Sequence, residues 1–172
     1  MKNPGVRYGL LGGVAVIFYF AILYFAKKEL FLNPWLQWTS MAVYLLFMYR
    51  AAKEDCARNG TQRDFRAILR VPFTAFLLIN LFYWLFYYSI HLADPELLQL
   101  ETAAQLQYLK AQLASGPGDP QQANELREHI QYLEKSGMSL PLGHVFLRMG
   151  IGALGGFVLS AGIAAMLRTD SQ

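Results

Sequence analysis

Arg148 and His144 stand one helical turn apart at the head of an apolar run, and His91 stands near the end of another. A guanidinium is a planar fork of N–H donors and an imidazole adds more. Together these three side chains have the chemistry to hold a phosphate or another anionic head group. The competing reading is that Arg148, about one turn inside its apolar run, snorkels to a membrane surface. Asn80 lies near the middle of the run that His91 ends and has the donors and acceptor to bridge two helices. Arg63, Arg66 and Arg70 fall on one helical face, with Phe65, Ile68 and Leu69 around the others. That pattern marks a helix lying in an interface, on anionic lipid or an acidic partner, although the bias of basic residues towards cytoplasmic loops produces it too.

Catalytic chemistry finds no comparable set. There is no P-loop, HExxH, nucleophile elbow or dinucleotide fingerprint. Cys56 is the single cysteine and has no second thiol or histidine at metal-ligand spacing. No carboxylate falls inside any apolar run, which argues against an ion pathway of that type. The residues predict no catalytic group, no cofactor and no metal. A net charge of +3 gives no support to nucleic-acid binding.

Two stripes of small residues also invite interpretation. Gly152, Gly156, Ser160 and Ala164 follow Arg148 at every fourth position, and Gly5, Gly9 and Gly13 repeat the spacing near the start of the chain. Small residues on one face let another backbone approach closely, which is how helices associate in lipid. The expectation is that the two stripes pack against each other within the chain; a homo-oligomer or a membrane-protein partner is the alternative.

The elements that must position these residues follow from the distances between charges. A bilayer core of about 30 Å needs roughly 20 apolar residues of helix to cross it. Four charge-free stretches meet that length, at 8–26, 30–49, 71–93 and 149–167. They are apolar all round, unlike the helices of a soluble bundle. Lys2 and Arg7 precede the first stretch as in a signal peptide, but it closes on Lys27 and Lys28 with no small-residue cleavage pattern, so a retained anchor is expected. Asn33, Pro34 and Gln37 move the start of the second helix to about Pro34. The spacing predicts an all-α bundle of four transmembrane helices, at about 8–26, 34–50, 71–93 and 144–167, forming one integral membrane domain over 1–172.

Arg50, Lys53, Arg58, Arg63, Arg66 and Arg70 crowd the second connection. With four crossings that connection shares its side with Lys2, Arg7 and Arg168, so these nine oppose the five at Lys27, Lys28, Lys110, Arg127 and Lys135. Both termini and the 50–70 segment are therefore expected in the cytoplasm. The third connection, 94–139, reads as an extracytoplasmic helical hairpin. Asp94-Pro95 and Asp119-Pro120 each supply a cap followed by proline at the first helical position, and Ser115-Gly116-Pro117-Gly118 breaks the chain between them. Ala123, Leu126, Ile130, Leu133 and Gly137 recur at alternating three and four spacing, with Leu106, Leu109 and Leu113 as the partner seam.

The opening Met1-Lys2-Asn3-Pro4 through Tyr8-Gly9-Leu10, the Asp64-Phe65-Arg66 stretch and the Asp94-Pro95-Glu96 exit resemble DUF4199, a family of four-helix membrane proteins of unknown function found mainly in Bacteroidetes. The resemblance covers nearly the whole chain and implies the bacterial inner membrane. It supplies no catalytic residues to carry over.

These readings converge on a non-catalytic membrane scaffold or accessory subunit, with the lipid bilayer as its first partner. The alternative is an anionic-lipid-binding protein, or an accessory to lipid-linked envelope glycan assembly, resting on His144 and Arg148.

Overall fold

The computed structural model describes residues 3–60, 62, 64–116, 119–135 and 142–169. Among them every regular element is an α-helix: α1 Pro4–Ala26, α2 Lys28–Leu32, α3 Pro34–Thr39, α4 Met41–Asn59, α5 Phe65–Ala93, α6 Pro95–Ala114, α7 Pro120–Lys135 and α8 Leu142–Thr169. Four of them start in the same way. Asn3, Asn33, Asp94 and Asp119 each precede a proline, and each side-chain oxygen accepts from the N–H two residues on, at 2.9, 2.9, 3.2 and 3.0 Å. The proline has no N–H to leave unsatisfied, and the cap takes up the next one. Gly60 ends α4 with φ +80°, a conformation open to glycine without strain.

Three helices are long and apolar enough to cross a membrane: α1, α5, and α8 over Val145–Arg168. The second expected span takes a different form. At Ser40 the helix tightens into a 3₁₀-type turn, with Ser40 N–H bonded to the Gln37 carbonyl at 3.2 Å and Val43 N–H to the Ser40 carbonyl at 2.9 Å. The short α3 lies before that turn. After it, α4 runs well past the expected end at residue 50, carrying Arg50, Lys53, Glu54, Asp55 and Arg58 along with it. The helix continues because one face is buried, at Met48, Ala51, Ala52, Asp55 and Cys56. The third expected span also begins earlier, at Phe65, so that Arg66 and Arg70 ride on its first two turns.

The chain divides into two compact units, Met1–Tyr87 with Leu142–Gln172, and Tyr88–Pro141. In the first, the glycine stripe of α1 seats on α5, not on α8. A methyl added at Gly5 would lie 2.7 Å from the Val71 carbonyl oxygen, at Gly9 2.8 Å from Leu78, and at Gly13 2.6 Å from the Phe82 ring. The α8 stripe reaches α5 as well, for a methyl at Gly156 would lie 2.1 Å from the Phe76 ring. The two stripes therefore do not need each other: both were expected to meet, and instead both are filled by large α5 side chains. The start of α1, the end of α4, the start of α5 and the end of α8 share one end of this bundle. Arg7 Nη2 lies 2.9 Å from Glu54 Oε2 there, and Ala52, Cys56, Ile68, Ala164 and Leu167 form a common core. Towards the other end, the buried Phe31 ring of α2 is enclosed by Phe20, Phe86 and Tyr87, with centroids 5.7, 6.5 and 6.0 Å away.

In the second unit α6 and α7 pack together. Ile130 is buried, and Leu126, Leu133, Leu106, Leu109 and Leu113 are half-buried, while the residues between them are exposed. Burial along both helices thus follows the three-and-four spacing of the seam. Gly137, its last expected member, lies outside the described residues, as do Pro117 and Gly118.

Candidate functional site

The 3₁₀ turn at Ser40 shapes a large apolar recess that contains residues singled out for their chemistry. Hydroxyls hold that turn in place. Tyr19 Oη donates to the Leu36 carbonyl at 2.8 Å, Thr39 Oγ1 donates to the same oxygen at 2.8 Å, and Ser40 Oγ donates to the Gln37 carbonyl at 2.6 Å. The Leu36 and Gln37 carbonyls at the bend are thus satisfied from the side by hydroxyls. Between α3–α4 and α8, with α5 behind, lies a cavity of about 590 Å³. That is within the roughly 300 to 1,000 Å³ of small-molecule sites.

Its walls differ along their length. Tyr44, Phe76 and Gly156 lie at one level, with the Tyr44 and Phe76 rings 5.3 Å apart. Asn80 and Gly152 lie at the next, where Asn80 Nδ2 donates to the Met149 carbonyl at 3.1 Å. Gln37, Trp38, Trp84 and Arg148 line the part nearest the α2 aromatic cluster, and Gln37 Nε2 donates to the Phe31 carbonyl at 3.3 Å. Among the described lining residues Arg148 is the sole charged side chain. Val158 belongs both to this lining and to the exposed stripe Leu147, Ile151, Leu154 and Val158 on α8, so the cavity opens sideways on that apolar face.

Among the residues singled out by sequence, the structure brings Asn80, Gly152, Gly156 and Arg148 to this cavity. Ser160 is fully buried beyond it and donates to the Gly156 carbonyl at 2.6 Å. His91 is buried in the second unit, with Nε2 2.9 Å from Glu101 Oε2, a carboxylate that also accepts from Gln105. The His144 side chain and Arg63 lie outside the described residues. Arg66 and Arg70 are exposed on α5 while Ile68 between them is fully buried, and Arg70 lines a smaller recess with Asn3, Val71 and Thr74. Sequence reasoning missed Trp38, Tyr44, Phe76, Trp84 and Gly155. The available signal was the polar interruption at Gln37, Thr39 and Ser40 inside an otherwise apolar stretch.

An all-helical chain with three membrane-length apolar helices, and a recess opening on their apolar surface, is a membrane-type helical protein. The family model described as "Protein of unknown function (DUF4199)" matches residues 7–169, and the chain belongs to that family. No curated protein and no solved structure matches it significantly.

Proposed function

We propose that this is a non-catalytic, multi-pass protein of the bacterial inner membrane that takes a membrane amphiphile sideways from the bilayer into the α3–α4/α8 cavity. The observation that carries the reading is the cavity itself. An apolar recess does not hold water stably, and one that opens on a lipid-facing surface fills with hydrocarbon. In this reading α3 and α4 together make a fourth crossing, and α6–α7 form an extracytoplasmic hairpin. The end that gathers Arg7, Lys53, Arg58, Arg66, Arg70 and Arg168 faces the cytoplasm. The glycine stripes argue less for a partner helix than their spacing alone does, because α5 already occupies them.

Lipid analysis of protein extracted in a mild detergent tests the reading. Gly155 lines the cavity and has open space where a Cβ would go, so Gly155→Leu fills the recess without touching the packed faces. Wild-type protein is expected to retain about one lipid per chain and Gly155→Leu almost none. Equal retention by both overturns the assignment. Orientation is tested separately, with cysteines at Asn59 and Ser115 in a Cys56→Ala background. The neighbouring Gly60 and Gly116 are unsuitable, because their φ values of +80° and +77° strain any other residue. Position 115 is expected to label from outside intact cells and position 59 only after lysis.

A scaffold or accessory-subunit role is the second reading, favoured by the exposed charged faces of α6 and α7. Crosslinking in native membranes tests it, and recovery of the monomer alone counts against it.

A further inference from the structure

We infer that the occupant of the cavity is an uncharged lipid of the isoprenoid-quinone class, with its planar ring at Tyr44 and Phe76 and a ring carbonyl accepting from the Tyr44 hydroxyl. This rests on the amphiphile reading above and adds the chemical class of the lipid and the seat of its head.

Three observations carry it. The first is an unspent hydroxyl. Ser40 and Gln37 donate to main-chain carbonyls, and Asn80 gives one N–H to Met149, keeping a second N–H and its oxygen. Tyr44 is only 6% exposed, yet its phenol oxygen has no hydrogen-bond partner among the described residues and is not sealed in by protein, so it opens on the cavity that the residue lines. Hydrocarbon alone would leave that hydroxyl unpaired in an apolar medium, which is costly. The occupant therefore brings a hydrogen-bonding atom to this level.

The second observation is depth without free charge. Gly156 stands at the middle of the apolar stretch Val145–Arg168, and Phe76 and Asn80 stand in the middle third of α5. Arg148, the sole charged side chain among the described lining residues, already has an interaction partner. A charged head drawn to that depth would lose its hydration with nothing to replace it, whereas a carbonyl on a neutral ring loses little. The third is the material of the walls. Phe20, Trp38, Tyr44, Phe76, Tyr83 and Trp84 supply six aromatic rings, and those of Tyr44 and Phe76 lie 5.3 Å apart. An electron-poor planar ring gains from such faces, and a glycerol or simple alcohol head does not. The tail has an exit, since Gly155 has no atom within 4 Å of a built Cβ and Val158 belongs to the exposed α8 stripe.

The experiment is native mass spectrometry of the full chain in mild detergent, equilibrated with equimolar menaquinone-4, geranylgeraniol, dioleoylglycerol and phosphatidylglycerol. The wild type is expected to retain menaquinone-4 about tenfold over each of the others, as ring stacking and one hydrogen bond together supply. Tyr44→Phe keeps the ring and removes the donor, so menaquinone-4 should fall about fivefold while the other three change by less than about twofold. Gly155→Leu should remove menaquinone-4 altogether. A wild type that holds any of the other three as well as menaquinone-4 overturns the quinone inference and leaves the amphiphile reading standing. Unchanged menaquinone-4 in Tyr44→Phe, or undiminished menaquinone-4 in Gly155→Leu, overturns the assigned position. A wild type that retains none of the four sinks both. Size-exclusion profiles of each variant check the fold, and quenching of indole fluorescence by the quinone supplies a second readout. In a Trp35→Phe background the emitters left are Trp38 and Trp84. Their quenching by menaquinone-4 should saturate, and a linear, non-saturating response counts against the inference.

Discussion

The bundle unit and the α6–α7 unit solve the same problem, burying one face of a helix, with opposite materials. In the bundle the packed faces are glycine and aromatic rings. The surface is apolar, with Phe18, Ile22, Leu154 and Val158 each about two-thirds exposed. In the helix pair the packed seam is leucine and isoleucine and the outer faces carry the charges. Lys110 and Glu134 make an ion pair of 2.9 Å there, about half exposed on both sides. The difference follows from the solvent. Where lipid surrounds a helix, apolar burial yields little and close backbone approach decides, so glycine sits at the contacts. Where water surrounds it, removing leucine area from solvent drives the contact and charge stays outside.

Breaking the bundle's half of that comparison should give the largest effect. Gly156→Ala places a methyl 2.1 Å from the Phe76 ring, which the α5–α8 contact cannot absorb without moving. A loss of about 3 kcal/mol in denaturant-driven unfolding in micelles is expected. Gly155→Ala, one residue away with open space around it, should change stability by less than about 0.5 kcal/mol. Equal effects at 155 and 156 would show that glycine there serves the helix backbone and not the contact.

On the water-driven side, Ile130→Asp puts an unpaired carboxylate in the seam, where the native side chain is 7% exposed. Burying it costs several kcal/mol, so α6 and α7 should separate and become open to limited proteolysis while the long apolar helices stay inserted. Unchanged protection of 106–133 would contradict the seam.

Asn80→Ala sharpens the contrast inside the bundle. The amide donates to a main-chain carbonyl of α8 at 3.1 Å, and a loss of about 0.6 to 2 kcal/mol is expected by the same unfolding assay. The smallest effect belongs to the surface of the pair. Lys110→Ala removes an exposed ion pair and should cost under about 0.5 kcal/mol, less still at high salt. A larger loss would mean that charge, and not the leucine seam, holds α6 to α7.

The sequence by itself marked the three membrane-length helices and the starts of the α6–α7 pair, but not α2 or the division of the second expected span at Ser40. Charge-free length marked α1, α5 and α8, because hydrocarbon tolerates neither unpaired backbone nor stray charge over that distance. The Asp94-Pro95 and Asp119-Pro120 pairs located the starts of α6 and α7, since capping is local chemistry between residues two apart. The seam at Leu126, Ile130 and Leu133 was legible for the same reason, being one face of one helix.

Which helix fills which stripe was decided only in three dimensions. The glycine spacing on α1 and α8 says that something approaches closely, and nothing in the spacing says that α5 supplies it with Leu78, Phe82 and Phe76. The 2.9 Å contact of His91 with Glu101, ten residues along the chain and two helical turns into α6, is likewise not written in the spacing of either residue. The cavity is tertiary for a further reason. It exists where the hydroxyls of Tyr19, Thr39 and Ser40 bend α3 against α4 and where α8 presents Gly155 to the gap, a conjunction of three distant segments that no single stretch of sequence encodes.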